Sequence, residues 1–380
     1  MRRRHSANPI GTALGPATRL GPTEPLPFLG RRRELTDLES VLERRGVVCL
    51  VGALGVGKTE LGRALIARAQ AAGRRTAFVS IQRGDDVDAI LARAERFLGV
   101  PPDGLADAVA AAPTLVVFDD VHRLGTDVKR LARLPGWVLL LSEEKCAVSG
   151  LASSTLDGLA VDDARALWMR LEETHGPTPQ GVCDGALVTT QGRPLGLRRE
   201  FARARLEVED PWDLDQLTED ESRLLAAAAV LGPAPAAALG ILAARQVEPG
   251  LRSLVERQLL AAREGGRFAV HDAIGAEVLS RLDPVERRRL EADAGSLLTG
   301  RAQTWQRVGG DAAPTDPCER ALCAAGHFFE AERQDEATAV LVENENLLLE
   351  RGAGGELRAL LGRMAGLRRD PSLKIGRAHV

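Results

Sequence analysis

The sequence predicts an α/β fold, a parallel sheet with helices on both faces, which gives way after about residue 150 to a helical chain interrupted by one short β-ribbon. Three observations predict it. Gly52-Ala53-Leu54-Gly55-Val56-Gly57-Lys58-Thr59 lies between an apolar, β-rich run, Val47-Val48-Cys49-Leu50-Val51, and a segment over 60–69 with apolar residues at helical spacing. Further short apolar runs at 76–81, 114–118 and 137–142 are parted by polar or helical stretches, as in buried parallel strands. Beyond Leu151 the strand signal stops and the apolar residues recur at helical spacing.

Composition bounds the rest. At 380 residues the chain has room for several cores, and its 44% hydrophobic and 27% charged residues are those of a globular protein. A net charge of -3 gives no support to a broad nucleic-acid-binding surface. Five scattered cysteines, Cys49 within a buried strand, suit a reduced, cytoplasmic chain rather than a disulfide framework. No apolar run is long enough to span a membrane.

Residues 1–25 read as a disordered Pro/Gly-rich leader, since no apolar stretch follows Arg2-Arg3-Arg4. Phe28-Leu29-Gly30-Arg31 then opens a helix carrying Leu35, Leu38 and Leu42 on one face. The glycine loop fits G-x-x-x-x-G-K-[ST] in full. Its glycines Gly52, Gly55 and Gly57, with Val56, turn backbone N–H groups inward around phosphates at a helix N-terminus. Lys58 would reach the β- and γ-phosphates, and Thr59 would hold Mg²⁺ through its hydroxyl. Thr114-Leu115-Val116-Val117-Phe118 ends in Asp119-Asp120, at the carboxyl end of a buried strand, where ligands gather in open α/β sheets. Asp119 would position Mg²⁺ through its water shell, and Asp120, with Lys58, would serve catalysis by polarising the attacking water. The predicted fold class is thus an α/β P-loop NTPase over 26–150.

After it come a small helical lid (151–212), with helices near 161–168 and 198–206, and a unit at 213–283. That unit opens with a Thr218/Glu221 capping box and runs through helices near 235–244 and 250–260 into a strand, glycine turn and strand ending at His271. Three helices and a β-wing are the winged-helix pattern. Its third helix sets Glu248 and Glu256 beside Arg252 and Arg257 and so lacks the basic face of a DNA reader. Residues 284–373 read as helices, with candidates at 321–329, 335–349 and 356–364. The last seven residues, 374–380, depart from a chain with only four lysines among fifty basic residues. They also read as a translated sequencing adapter, and the expectation is a non-native tail on a protein that continues.

The order of these motifs resembles the STAND class of P-loop ATPases, including NB-ARC switch proteins and the ATPase region of large LuxR-type regulators. The resemblance runs from about residue 26 to 298. It implies that Gly30 and Arg31, in the F-[VL]-G-R entry, lie near the adenine and ribose. Pro194, in Gly192-Arg193-Pro194-Leu195-Gly196-Leu197, would pack on the base, and His271, in Val270-His271-Asp272, would contact the β-phosphate of ADP. The family's arginine after the fourth apolar run is replaced in Leu141-Ser142-Glu143-Glu144-Lys145 by an acid where a cation would sense the γ-phosphate, unless Lys145 substitutes from the next turn. Slow or absent hydrolysis is therefore expected. The 319–364 segment resembles degenerate tetratricopeptide-type helix pairs. The implied function is an ATP/ADP- and Mg²⁺-binding signalling switch that meets protein partners, or itself, through its helical segment, without direct nucleic-acid binding by this stretch. A second reading makes it the N-terminal ATPase part of a DNA-binding transcription regulator whose helix-turn-helix lies further on.

Overall fold

Strands with nothing but buried residues need cover on both sides, and this chain has them. In the computed structural model, which describes residues 28–81, 85–244, 247–300 and 316–369, β1 (Val47–Val51), β2 (Arg75–Ser80), β3 (Thr114–Asp119), β4 (Trp137–Ser142) and β5 (Ala152–Thr155) form one parallel sheet in the order β2-β3-β4-β1-β5. Side chains alternate between its faces. Val48, Leu50, Leu115, Val117, Leu139 and Leu141 meet α1 (Arg32–Arg45) and α2 (Lys58–Ala71) on one side. Cys49, Val116, Phe118, Val138 and Leu140 meet α3 (Val87–Leu98), α4 (Leu105–Ala111) and the short α5 (Val128–Leu131) on the other. The sheet is that of a P-loop NTPase, with helices flanking both faces.

β5 is a departure from the sequence reading, which ended the strands by Leu151. Ala152-Ser153-Ser154-Thr155 pairs with β1 at the sheet edge and alternates between half-buried and exposed, so it lacks the apolar run that marked the inner strands. The lid has three helices rather than two: α6 (Val161–His175), α7 (Val182–Thr190) and α8 (Pro194–Leu206). They share a small core in which Trp168 meets Phe201 edge to face at 5.4 Å.

Residues 213–283 contain α9 (Glu219–Leu231), β6 (Ala234–Pro235), α10 (Ala236–Ala243), α11 (Glu248–Glu256), β7 (Leu260–Arg263), β8 (Arg267–Val270) and α12 (Asp272–Arg281). The capping box at Thr218 and Glu221 is formed. β6, β8 and β7 make an antiparallel sheet, so the expected two-stranded ribbon has a third, two-residue strand. α13 (Pro284–Leu298) closes this core through Ala294 and Leu297 and starts the next through Leu298. The helices after it are α14 (Pro317–Glu330), α15 (Gln334–Glu343), α16 (Glu345–Glu350) and α17 (Gly354–Arg369). The single helix expected over 335–349 is broken at Asn344, whose φ of -110° leaves the helical region. The expected leader (1–25) and tail (374–380) lie outside the described residues. Among the described residues no helix is long and apolar enough to cross a membrane.

Candidate functional site

The loop between β1 and α2 is fixed at both ends. Gly52 N–H donates to Ser142 O at 3.1 Å, tying the loop to the end of β4. Gly55 (φ +73°) and Gly57 (φ +100°) take left-handed conformations that a side chain would strain, and α2 begins at Lys58. The loop is also covered: a Cβ on Gly55 would meet Leu195 at 2.5 Å, and one on Gly52 would meet Leu156 O at 2.8 Å. Val56 is buried and packs in the sheet core. Lys58 is 6% exposed, and its ammonium donates to Gly52 O at 2.8 Å and Ala53 O at 3.2 Å. Burial lowers its pKa against the opposing pull of Glu143, Asp120 and Asp119. Three acids therefore face this lysine, Glu143 among them because β4 lies between β1 and β3.

Asp119, the last residue of β3, is 4% exposed and shares a side-chain hydrogen bond with Thr59. Burial, and then the like charge of Asp120, push its pKa up to about 6, while Thr59 pulls the other way. Asp120 adopts φ +64° and pairs with Arg123 at 3.1 Å. The carboxylate assigned to polarising water thus already has a cationic partner.

The other residues singled out by sequence fall into two groups. Pro194 borders the loop, and His271 lies within electrostatic reach of Lys58. Pro194 is the first residue of α8, with Cγ 3.9 Å from where a Cβ on Gly57 would sit, and the next N–H, that of Leu195, donates to Gly55 O at 3.2 Å. His271 caps α12, its Nδ1 accepting from Ala273 N–H at 3.3 Å. Burial lowers its pKa, with Asp272 opposing and Arg198, Arg263 and Lys58 adding to the drop. Arg31 instead braces the loop's backbone, and Gly30 packs on the lid. The Arg31 guanidinium donates to Val56 O at 3.1 Å, Asp157 O at 2.6 Å, Gly158 O at 3.3 Å and Glu34 at 2.8 Å, which commits it to protein acceptors. Gly30, at φ +69°, packs against Asp163 of α6 with no room for a Cβ.

Sequence reasoning missed Arg198. It lies one turn beyond Pro194 on α8, and burial, then Arg263, push its pKa down to about 10 against the pull of Glu60. Arg263, on β7, pairs with Glu60 of α2 at 3.0 Å, and Glu60 also takes Arg63 at 2.8 Å. Arg198, Arg263 and Lys58 thus each disfavour a charged His271, against Asp272. The available signal was the spacing of four from Pro194, which puts both residues on one helix face.

This donor set fits a magnesium–nucleotide. The left-handed glycines and the start of α2 can turn N–H groups and a helix dipole toward phosphates. Lys58 and Arg198 can supply charge, and the Thr59 hydroxyl with Asp119 can hold the cation, a hard ion that favours few protein oxygens plus phosphate and water.

Comparison with known proteins agrees with this geometry. Residues 41–149 match a family model described as an AAA domain. Among solved structures the chain is similar to a Signal Transduction ATPase with Numerous Domains (STAND) protein with a tetratricopeptide repeat sensor from Pyrococcus horikoshii. The two are 18% identical with a TM-score of 0.58, over 95% of this chain and 56% of that one. The chain thus spans 56% of that protein's length. Weaker matches include Cdc6p from Pyrobaculum aerophilum (16% identity, 68% of this chain and 96% of that one, TM-score 0.34). AMPPCP-bound DnaA from Aquifex aeolicus is another (14% identity, 91% and 100%, TM-score 0.32). No curated protein matches the sequence. Residues 41–149 match a P-loop ATPase domain of the AAA kind, and the chain around them shares the fold of a STAND ATPase.

Proposed function

We propose that this chain is an ATP/ADP-operated switch whose P-loop is read by every other unit of the molecule. One observation carries this reading: the P-loop domain is contacted from three directions at once. Leu195 N–H reaches Gly55 O from the lid, Arg263 reaches Glu60 from the β-ribbon, and Glu356 of α17 reaches Arg93 and Arg96 of α3. Charge placed at the loop therefore acts on the surfaces that hold the units together.

Residues 213–283 are read as a winged helix used as a packing module. Arg257, which caps the end of its third helix, donates to Pro211 O at 3.4 Å, and Arg257 O accepts from the Trp212 indole at 2.9 Å, so this arginine serves the lid side rather than an outer face. The chemistry a bound magnesium–nucleotide supplies is concentrated negative charge. Lys58, Arg198 and His271 would bind that charge, Thr59 and Asp119 would hold the cation, and Pro194 would border the nucleotide. Glu143, which faces Lys58, opposes build-up of charge at the terminal phosphate, which supports slow hydrolysis and a role in binding rather than turnover.

The test is equilibrium binding of fluorescent ADP and ATP to the whole chain and to Lys58→Ala. The loss of a charged donor should weaken binding roughly 10- to 100-fold. Equal affinity in the two proteins would remove the site, and turnover at the rate of a dedicated ATPase would remove the switch.

A further inference from the structure

Two thiols meet under the P-loop. Cys49 is the middle residue of β1, 1% exposed and three positions before Gly52. Cys146 lies in the irregular segment that follows β4 and is half-buried. Their Sγ atoms are 3.1 Å apart, on the sheet face covered by α3, α4 and α5. A disulfide needs about 2.05 Å between sulfurs, so roughly 1 Å of approach would join them. The movement falls on the 143–150 segment, which carries no helix or strand, and β1 need not shift.

The pair is chemically unequal. Hydrogen bonds from Cys49 and then Ser142 hold the Cys146 thiol below its ordinary pKa against burial. The hydrogen bond with Cys146 and its own burial drive Cys49 the other way. Cys146 is thus the half-exposed, more thiolate-like partner, and Cys49 the shielded one.

We propose that Cys49 and Cys146 are an oxidative modification site, a dithiol that peroxide converts to a disulfide and that a dithiol reductant restores. The Cys146 thiolate attacks a peroxide oxygen and breaks the O–O bond, leaving a sulfenic acid and, after proton uptake, one water. The Cys49 sulfur then attacks the sulfenic sulfur, its proton leaves with the hydroxyl as a second water, and the S–S bond closes. Two thiols and one hydrogen peroxide give one disulfide and two waters, with two electrons passing from sulfur to oxygen.

The bond would tie the segment carrying Glu143 to the strand that feeds the P-loop. Ser142 lies at its root: Ser142 O accepts from Gly52 N–H, and its hydroxyl accepts from Glu144 N–H at 3.3 Å. Oxidation would therefore change how fast nucleotide leaves. That consequence rests on the nucleotide reading, whereas the disulfide does not.

The experiment treats the whole chain with hydrogen peroxide, blocks remaining thiols with N-ethylmaleimide under denaturing conditions, and maps peptides by mass spectrometry. Expected are a linked Cys49–Cys146 peptide two hydrogens lighter than its parts, its loss on dithiothreitol, and maleimide on Cys183, Cys318 and Cys323. Cys146→Ser, a change at the half-exposed partner, should abolish the link, and Cys183→Ser should keep it. Maleimide on both Cys49 and Cys146 after peroxide, or Cys146 driven to sulfinic acid with Cys49 unmodified, overturns the site. Release of fluorescent ADP from oxidised wild-type protein should differ about fivefold or more from that of peroxide-treated Cys146→Ser. A linked protein that releases ADP at the unlinked rate overturns the regulatory consequence while the nucleotide site stands.

Discussion

Glu356→Ala removes a carboxylate that two arginines of the P-loop domain share. Glu356 is 7% exposed and accepts from Arg96 Nε at 2.6 Å and Arg93 Nε at 3.3 Å. Burial works against both guanidinium charges, and the hydrogen bonds they donate to carboxylates, with the carboxylates' negative charge, outweigh it, so both pKa values stand above the ordinary one. Without Glu356, Arg93 keeps Asp85 at 2.9 Å, and Arg96 keeps Asp316 at 3.8 Å and the Phe97 ring at 4.7 Å. Breaking a buried pair by deleting one partner costs about 3–5 kcal/mol. Since Arg93 retains a partner, the lower end applies, and about 3 kcal/mol moves the docked–undocked balance of α17 roughly 150-fold. Hydrogen–deuterium exchange should then show α3 losing protection while β1, β3 and β4 keep theirs. Gly355→Leu is the steric counterpart, because a Cβ there runs into Ala92 of α3, and it should undock α17 without deleting any charge. Unchanged exchange over α3 in Glu356→Ala would refute the electrostatic argument. Undocking by Gly355→Leu alone would assign the contact to packing.

Lower pH should loosen the lid from the β-ribbon unit. The ring Nε2 of His175 lies 3.1 Å from Gln258 Nε2, and burial, then Arg198 and Arg205, push its pKa down to about 4. A depressed pKa means stability that is full above the ordinary value of 6.5 and lost as pH falls toward 4. The loss is up to about 3 kcal/mol, readable as a thermal-unfolding midpoint that flattens with pH in His175→Gln. Arg198→Ala should weaken ATP binding roughly tenfold, and equal Kd values for wild type and variant would take Arg198 out of the site. Glu143→Arg should raise phosphate release by about tenfold or more, and no change would dissociate Glu143 from slow turnover.

The inner strands and the P-loop were legible because each is a local pattern. β1, β3 and β4 are apolar along their length since helices cover both faces, and eight consecutive residues carry the loop motif. β5 was not legible, because an edge strand of Ala, Ser and Thr has one open side and needs no apolar run. α7 has weak contrast between its faces, and only Ala186 and Thr190 in it are buried. At the site, the Asp119–Thr59 contact followed from strand and loop order. The work done by Arg31 did not, because three of its four acceptors are carbonyls on segments 25 to 127 positions away. Arg198 gains meaning only once β7 brings Arg263 beside it.

The seam between α3 and α17 sets a timetable for synthesis. Arg93 and Glu356 are 263 positions apart, so at roughly 5–20 residues per second a ribosome makes the arginine about 13–50 s before its partner. For that interval the nascent ATPase domain shows the bare side of α3 to the cell. Arg93 and Asp85 can pair during the wait, since both precede the gap. A charged, half-satisfied face can stand in water where an apolar one would seek another chain. The polar character of this joint thus suits a helix that arrives long after the surface it covers.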